Sequence, residues 1–175
     1  STFRFVERTH QGMVDFLALA AAAKGPLASI DALKADGKPL LDAAGPVYYY
    51  GISQGSILGT TYVSLSPHVE RAALSVGGAS FGFMMSRSRN FTQFLGPIDT
   101  VLGDADRKAE GARLVMLMQT AFDRIDPITY APYLRMGTPG APKERHVLLQ
   151  VGLGDAQVPN LASHVHARAI GVPLL

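Results

Sequence analysis

The residues best suited to chemistry are Gly51-Ile52-Ser53-Gln54-Gly55, which satisfy the pattern G-x-S-x-G. A serine at the apex of a tight strand-to-helix turn holds a strained backbone, and side chains two residues to either side would collide. Glycine at positions 51 and 55 removes that collision. A helix following the turn aims its free N–H groups and positive dipole end at the serine oxygen. An exposed hydroxyl beside preorganised donors is what acyl transfer requires, so Ser53 is the candidate nucleophile. The competing reading is a glycine-rich turn that binds phosphate. It lacks a Lys-Ser or Lys-Thr after the turn and a third glycine at dinucleotide spacing.

The flanking residues supply the elements that such a serine needs. Val47 to Tyr50 is an apolar, β-prone run, and Ile57, Leu58 and Gly59 open a helix that runs to about Leu65 and stops at Ser66-Pro67. Gly55 and Gly59 lie four residues apart, giving a smooth helix face that can pack closely on a sheet. Residues 69–76 form a second apolar strand, closed by Gly77-Gly78. The resulting strand–helix–strand unit crosses over right-handed in a parallel sheet. His146 to Val151 is a further strand, continuously apolar as a buried parallel strand is. It ends in Gly152-Leu153-Gly154-Asp155-Ala156-Gln157-Val158-Pro159-Asn160. Catalytic groups in open α/β sheets collect at the carboxyl ends of strands. Asp155 sits at such an end, as Ser53 does; its plainer alternative is a turn-former beside glycine.

The remaining segments read as packing. Residues 3–23 have helical periodicity (Phe5, Val6, Met13, Phe16, Leu17, Ala20), ended by Lys24-Gly25-Pro26. Residues 27–45 read as a weaker helix and a turn-rich connection, and His10 and Gln11 as ordinary polar positions. Residues 79–145 are helical and irregular, with Met84, Met85, Phe91, Phe94 and Leu95 first. A firm helix follows near Lys108 to Phe122, with Leu114, Leu117, Met118 and Ala121 on one side. A short helix then begins at Asp126-Pro127. So long an excursion between strands exceeds a simple crossover. It is read either as a helical cap-like insertion, with Met84, Met85 and Phe91 lining an apolar pocket, or as ordinary core. Asn160 caps a helix through Ala169, on which His164 and His166 read as solvated positions. Gly171 to Leu175 open another strand.

Composition sets the outer bounds. The chain has 175 residues, 47% hydrophobic and 17% charged, enough to bury the core of a single domain. A net charge of +2 without a Lys/Arg run argues against nucleic acid as a partner. The absence of cysteine excludes disulfides, thiolate catalysis and cysteine-based zinc sites. It leaves the cell compartment undecided. The longest apolar run, Phe16 to Ala23, is too short to span a membrane. No histidine or carboxylate group shows metal spacing.

With Ser53 on one strand end and Asp155 on a later one, the chain resembles the α/β-hydrolase superfamily in its bacterial esterase/lipase-like branch. Gly51-Ile52-Ser53-Gln54-Gly55 resembles the nucleophile elbow, and Gly154-Asp155-Ala156-Gln157-Val158-Pro159 resembles the acid turn; the order nucleophile then acid also fits. The likeness covers about residues 46–175. It implies a partial α/β-hydrolase fold, a three-layer α/β/α sandwich with a mostly parallel sheet and a helical cap. It implies Ser53 as nucleophile, Asp155 as the acid of a catalytic triad, and the Gln54 N–H as one oxyanion-hole donor. The substrate class implied is a small ester with an apolar acyl or aromatic group, cleaved without cofactor or metal. The family's histidine and second oxyanion donor have no counterpart in this stretch. The expectation is therefore the middle of a longer protein, or a fragment completed by a second chain. A non-catalytic hydrolase-like binding or scaffold module is the alternative.

Overall fold

The computed structural model describes residues 2–93, 107–141 and 145–173. Expectations that fall on Phe94, Leu95, Leu174 and Leu175 lie outside the described residues. Helix α1 (Thr2–Ala23) opens the chain and is followed by two 3-10 turns (Pro26–Ser29 and Asp31–Leu33). A two-residue hairpin then pairs β1 (Lys34–Ala35) with β2 (Lys38–Pro39). This replaces the weak helix expected over residues 27–45, because Asp36-Gly37 takes positive φ at both residues and turns the chain back on itself.

The centre is a three-strand parallel sheet. Strand β3 (Val47–Ile52) leads into α2 (Gln54–Leu65), and β4 (Val69–Ser75) pairs with β3 in parallel. Helices α3 (Phe81–Met85), α4 (Arg107–Phe122), α5 (Pro127–Tyr130) and α6 (Tyr133–Met136) intervene before β5 (His146–Gln150), which pairs with the other edge of β4. Helix α7 (Asn160–Ile170) follows, ended by Gly171 in the left-handed conformation. Gly171–Pro173 are not strand. The sheet order is β3-β4-β5.

Strand periodicity decides the layering. Tyr49, Ala72, Leu74, Val147 and Leu149 point to one face, where they join Tyr62 and Val63 of α2, Ala131, Leu134 and Ile170 in a core. A second core gathers Val6 and Met13 of α1 with Ile57, Phe81, Met84, Met85, Val115, Phe122 and Ile125. The opposite sheet face carries Tyr48, Tyr50, Ile52 and Leu148, each more than half exposed. The described helices thus reach the sheet through one face only. A mixed α/β architecture with a parallel sheet is present; a second helical layer is not seen among the described residues.

Several of the described residues between β4 and β5 pack onto the sheet core. Ala131 and Leu134 lie in the sheet core, and the Ser64 hydroxyl is shared between the Thr60 and Tyr130 carbonyls at 2.7 and 3.0 Å. On α4 the buried line is Val115 and Phe122 with Met118 half-buried. Leu117, expected on the inner side, is 69% exposed. Arg145 staples the base of the layer. Its guanidinium donates to the carbonyls of Ser64, Ser66, Val69 and Tyr133 at 2.9–3.2 Å, satisfying the last turn of α2.

Candidate active site

Ser53 stands where β3 ends and α2 begins, with φ 53° and ψ −116°. That backbone region is strained for any residue with a Cβ. Two constraints hold it there. The Ser53 N–H donates to the Ser75 carbonyl at 2.9 Å, extending the β3–β4 ladder one residue past the strand. Its carbonyl accepts from the Ser56 and Ile57 N–H groups at 2.9 and 3.0 Å, starting the helix. A single residue therefore belongs to both sheet and helix, and the sharp bend follows.

The glycines make the bend possible, but unequally. A Cβ on Gly51 would overlap the Gly55 carbonyl, whereas a Cβ on Gly55 would meet only the Tyr49 hydroxyl at 3.8 Å. The collision foreseen for both positions exists at Gly51 alone. Tyr49 closes the elbow from inside. Its hydroxyl donates to the Gly55 carbonyl at 2.6 Å, and burial pushes its pKa up. The N–H groups of Gln54 and Gly55, ahead of the first helical bonds, carry the dipole's positive end beside the serine.

Asp155 lies beyond the carboxyl end of β5. Its Oδ1 accepts from the Gln157 and Val158 N–H groups at 2.7 and 3.0 Å, so it does form the turn. Asn160, expected as a cap, works backwards instead. Its amide donates to the Gly152 carbonyl at 2.6 Å and accepts from the Gly154 N–H at 2.9 Å, pinning the approach to Asp155. Between the two candidates is the end of β4. Val76 has φ 47°, an outlier for a β-branched residue, and its N–H donates to the Gln150 carbonyl at 2.8 Å. β3 and β5 flank β4, so two strand spacings separate the tips carrying Ser53 and Asp155, on the order of 10 Å. That is the gap between the strand ends; Asp155 itself lies past the end of β5, which closes at Gln150.

No histidine fills it among the described residues. His68 and His146 lie at the amino ends of β4 and β5, opposite the Ser53 rim, and His10 and His164 are exposed. His166, read from sequence as solvated, is fully buried. It meets Thr60 Oγ1 through Nε2 at 2.8 Å, and burial lowers its pKa from 6.5 to about 4. Its place on the inner side of α7, four residues after Ala162 and opposite α2, is where an amphipathic reading of 160–170 could have put it.

Met84 and Met85 are 2% and 3% exposed, inside the core with Phe91 packed against it. Both belong to α3 and pack as the core alternative of the sequence reading has it. A cavity of about 630 Å³ lies against the amino-terminal half of the sheet and includes Tyr48, Arg71, His146 and Pro173. It touches neither Ser53 nor Asp155. Asp126 is a further polar residue that sequence reading undervalued. It is fully buried and accepts from the Phe81 N–H, the Ile128 N–H and Gln119 Nε2 at 2.7–2.8 Å. Desolvation still raises its pKa. Among the described residues no group of three or more His, Asp or Glu could hold a metal ion, and no helix is long and apolar enough to cross a membrane.

No protein-family model matches the chain, and neither does any curated protein or solved structure.

Proposed function

We propose that the chain carries the acyl-transfer site of a serine hydrolase acting on carboxylic esters, with Ser53 as nucleophile. The observation that carries this reading is the strained φ of Ser53 at a strand-to-helix bend, closed by Gly51. In this mechanism Ser53 Oγ attacks the ester carbonyl carbon while a base takes its proton. The carbonyl electrons move to the oxygen, which the Gln54 N–H stabilises, with the Gly55 N–H beside it. The intermediate collapses to an acyl-Ser53 ester as the alcohol leaves with the base's proton. Water then repeats the sequence and releases the acid. In this reading Asp155, with Oδ1 held by the turn and Oδ2 free of hydrogen bonds among the described residues, orients the imidazole through Oδ2. The reading requires an imidazole base, and none of the described histidines stands at the Ser53 rim. The same reading takes the sheet as part of a three-layer α/β/α sandwich, in which a second helical layer covers Tyr48, Tyr50 and Ile52.

Labelling of the full-length protein by a fluorophosphonate tests this. Labelling that disappears in Ser53→Ala, together with hydrolysis of p-nitrophenyl esters, is the expected result. A wild type that neither labels nor hydrolyses excludes it. The second reading is a hydrolase-like module without catalysis, favoured by one observation: no described imidazole reaches Ser53. Under it, the wild type stays unlabelled.

A further inference from the structure

The seam between α2 and α7 takes no part in acyl transfer, yet it holds polar groups at complete burial. Ser56 Oγ and His166 Nδ1 are buried without a partner among the described residues. Thr60 Oγ1 lies 3.2 Å from the Ser56 carbonyl and 2.8 Å from His166 Nε2. A threonine hydroxyl has one proton to give. Donated to the Ser56 carbonyl, it leaves the oxygen free to accept from an Nε2–H, and His166 Nδ1 becomes a bare acceptor. The opposite assignment strands an N–H at Nδ1 and drops the bond to Ser56. Buried orphan donors are the rarer defect, so the bond pattern assigns the neutral Nε2–H tautomer.

Around this pair the packing leaves little slack. A Cβ on Gly77 would overlap the Ser56 side chain, and one on Gly78 would stand 2.8 Å from the Ala162 methyl. Ser163 Oγ donates to the Gly77 carbonyl at 2.8 Å, and the Ala79 N–H donates to the Ala162 carbonyl at 3.0 Å. The loop after β4 is thus gripped between the two helices. α2 starts directly at Ser53. α7 starts at Asn160, whose amide pins the residues just before Asp155. The small side chains at this junction give little direction along the helix axes. A buried polar pair is directional, and fixing register is the best-attested use of such a pair.

We propose that the Thr60–His166 pair is a positioning element of the candidate site: it sets the register of α7 on α2, and through it the placement of Asp155 relative to Ser53. This rests on the acyl-transfer reading and adds to it a residue that touches neither reacting group.

The test uses the full-length protein and two variants. His166→Leu removes the polar link, and His166→Gln returns an N–H to the place of Nε2. In a folded His166→Leu, the backbone amide resonances of Gln157 and Val158, which donate to Asp155, shift. Fluorophosphonate labelling of Ser53 also slows, on the order of tenfold. His166→Gln restores most of both. Should His166→Leu fail to fold, Thr60→Val deletes the same bond at nearly constant volume and is judged by the same readouts. A variant that melts earlier while keeping wild-type Gln157 and Val158 resonances and labelling rate overturns the proposal. If the wild type does not label at all, the acyl-transfer reading falls separately, and the amide resonances alone decide the register claim.

Discussion

Gly51 and Gly55 meet across the elbow asymmetrically: a Cβ on the first overlaps the carbonyl of the second, while one on the second meets only the Tyr49 hydroxyl at 3.8 Å. Gly51→Ala therefore forces the strand away from α2 and costs about 1–3 kcal/mol or more, as overpacking does. Gly55→Ala removes a flexible residue from the first turn and is neutral to stabilising by about 0.5–1 kcal/mol. Urea denaturation of the two variants checks the contrast. Equal destabilisation of both would contradict the elbow geometry.

Tyr49→Phe deletes the hydroxyl that donates to the Gly55 carbonyl and leaves the half-buried ring in place. The expected loss is about 1 kcal/mol. Because that bond steadies the residue two after Ser53, the labelling rate should fall in the same variant.

Asp155→Asn separates turn from charge. The amide oxygen still accepts from the Gln157 and Val158 N–H groups, so the melting temperature should stay close to wild type. Removing the carboxylate that fixes the imidazole tautomer should lower kcat by roughly 10²-fold or more. Unchanged esterase kinetics in this variant would reduce Asp155 to a turn residue.

Burial holds the folded-state pKa of His166 at about 4, below the ordinary 6.5. The unfolded chain therefore binds a proton first as pH falls. The stability held by the neutral, buried ring is complete above about pH 6.5 and is lost as pH drops toward about 4. The full loss is about 3 kcal/mol. His166→Leu should flatten this part of the pH–stability curve, measured by chemical denaturation between pH 7 and pH 4. An unchanged slope would mean that another group titrates there.

Asp126→Ala leaves the Phe81 N–H, the Ile128 N–H and the Gln119 amide without their acceptor in a buried site. The expected destabilisation is about 3 kcal/mol, combining a lost helix cap with unsatisfied donors. Thermal melts report it. A loss below about 1 kcal/mol would mean that water replaces the carboxylate.

What the sequence revealed and what it hid follow from the range of the forces involved. The elbow was legible because G-x-S-x-G is a local steric code, and the α2 stop at Ser66-Pro67 lies where proline demands. Strands β4 and β5 were legible from apolar runs of the right length. The fate of His166 was hidden, because its environment is made by Thr60, 106 positions away in sequence. Met84 and Met85 carry the same lesson in reverse: methionine at helical spacing suits a pocket and a core equally. Only the packing of α1 and α4 against them decides for the core.

The sheet face left exposed among the described residues gives the serine a mechanical neighbour. Tyr48, Tyr50 and Ile52 belong to the strand that ends in Ser53, and Ile52 is joined to it by one peptide bond. A body seated on those three side chains would bear on the strand whose end sets the hydroxyl's aim.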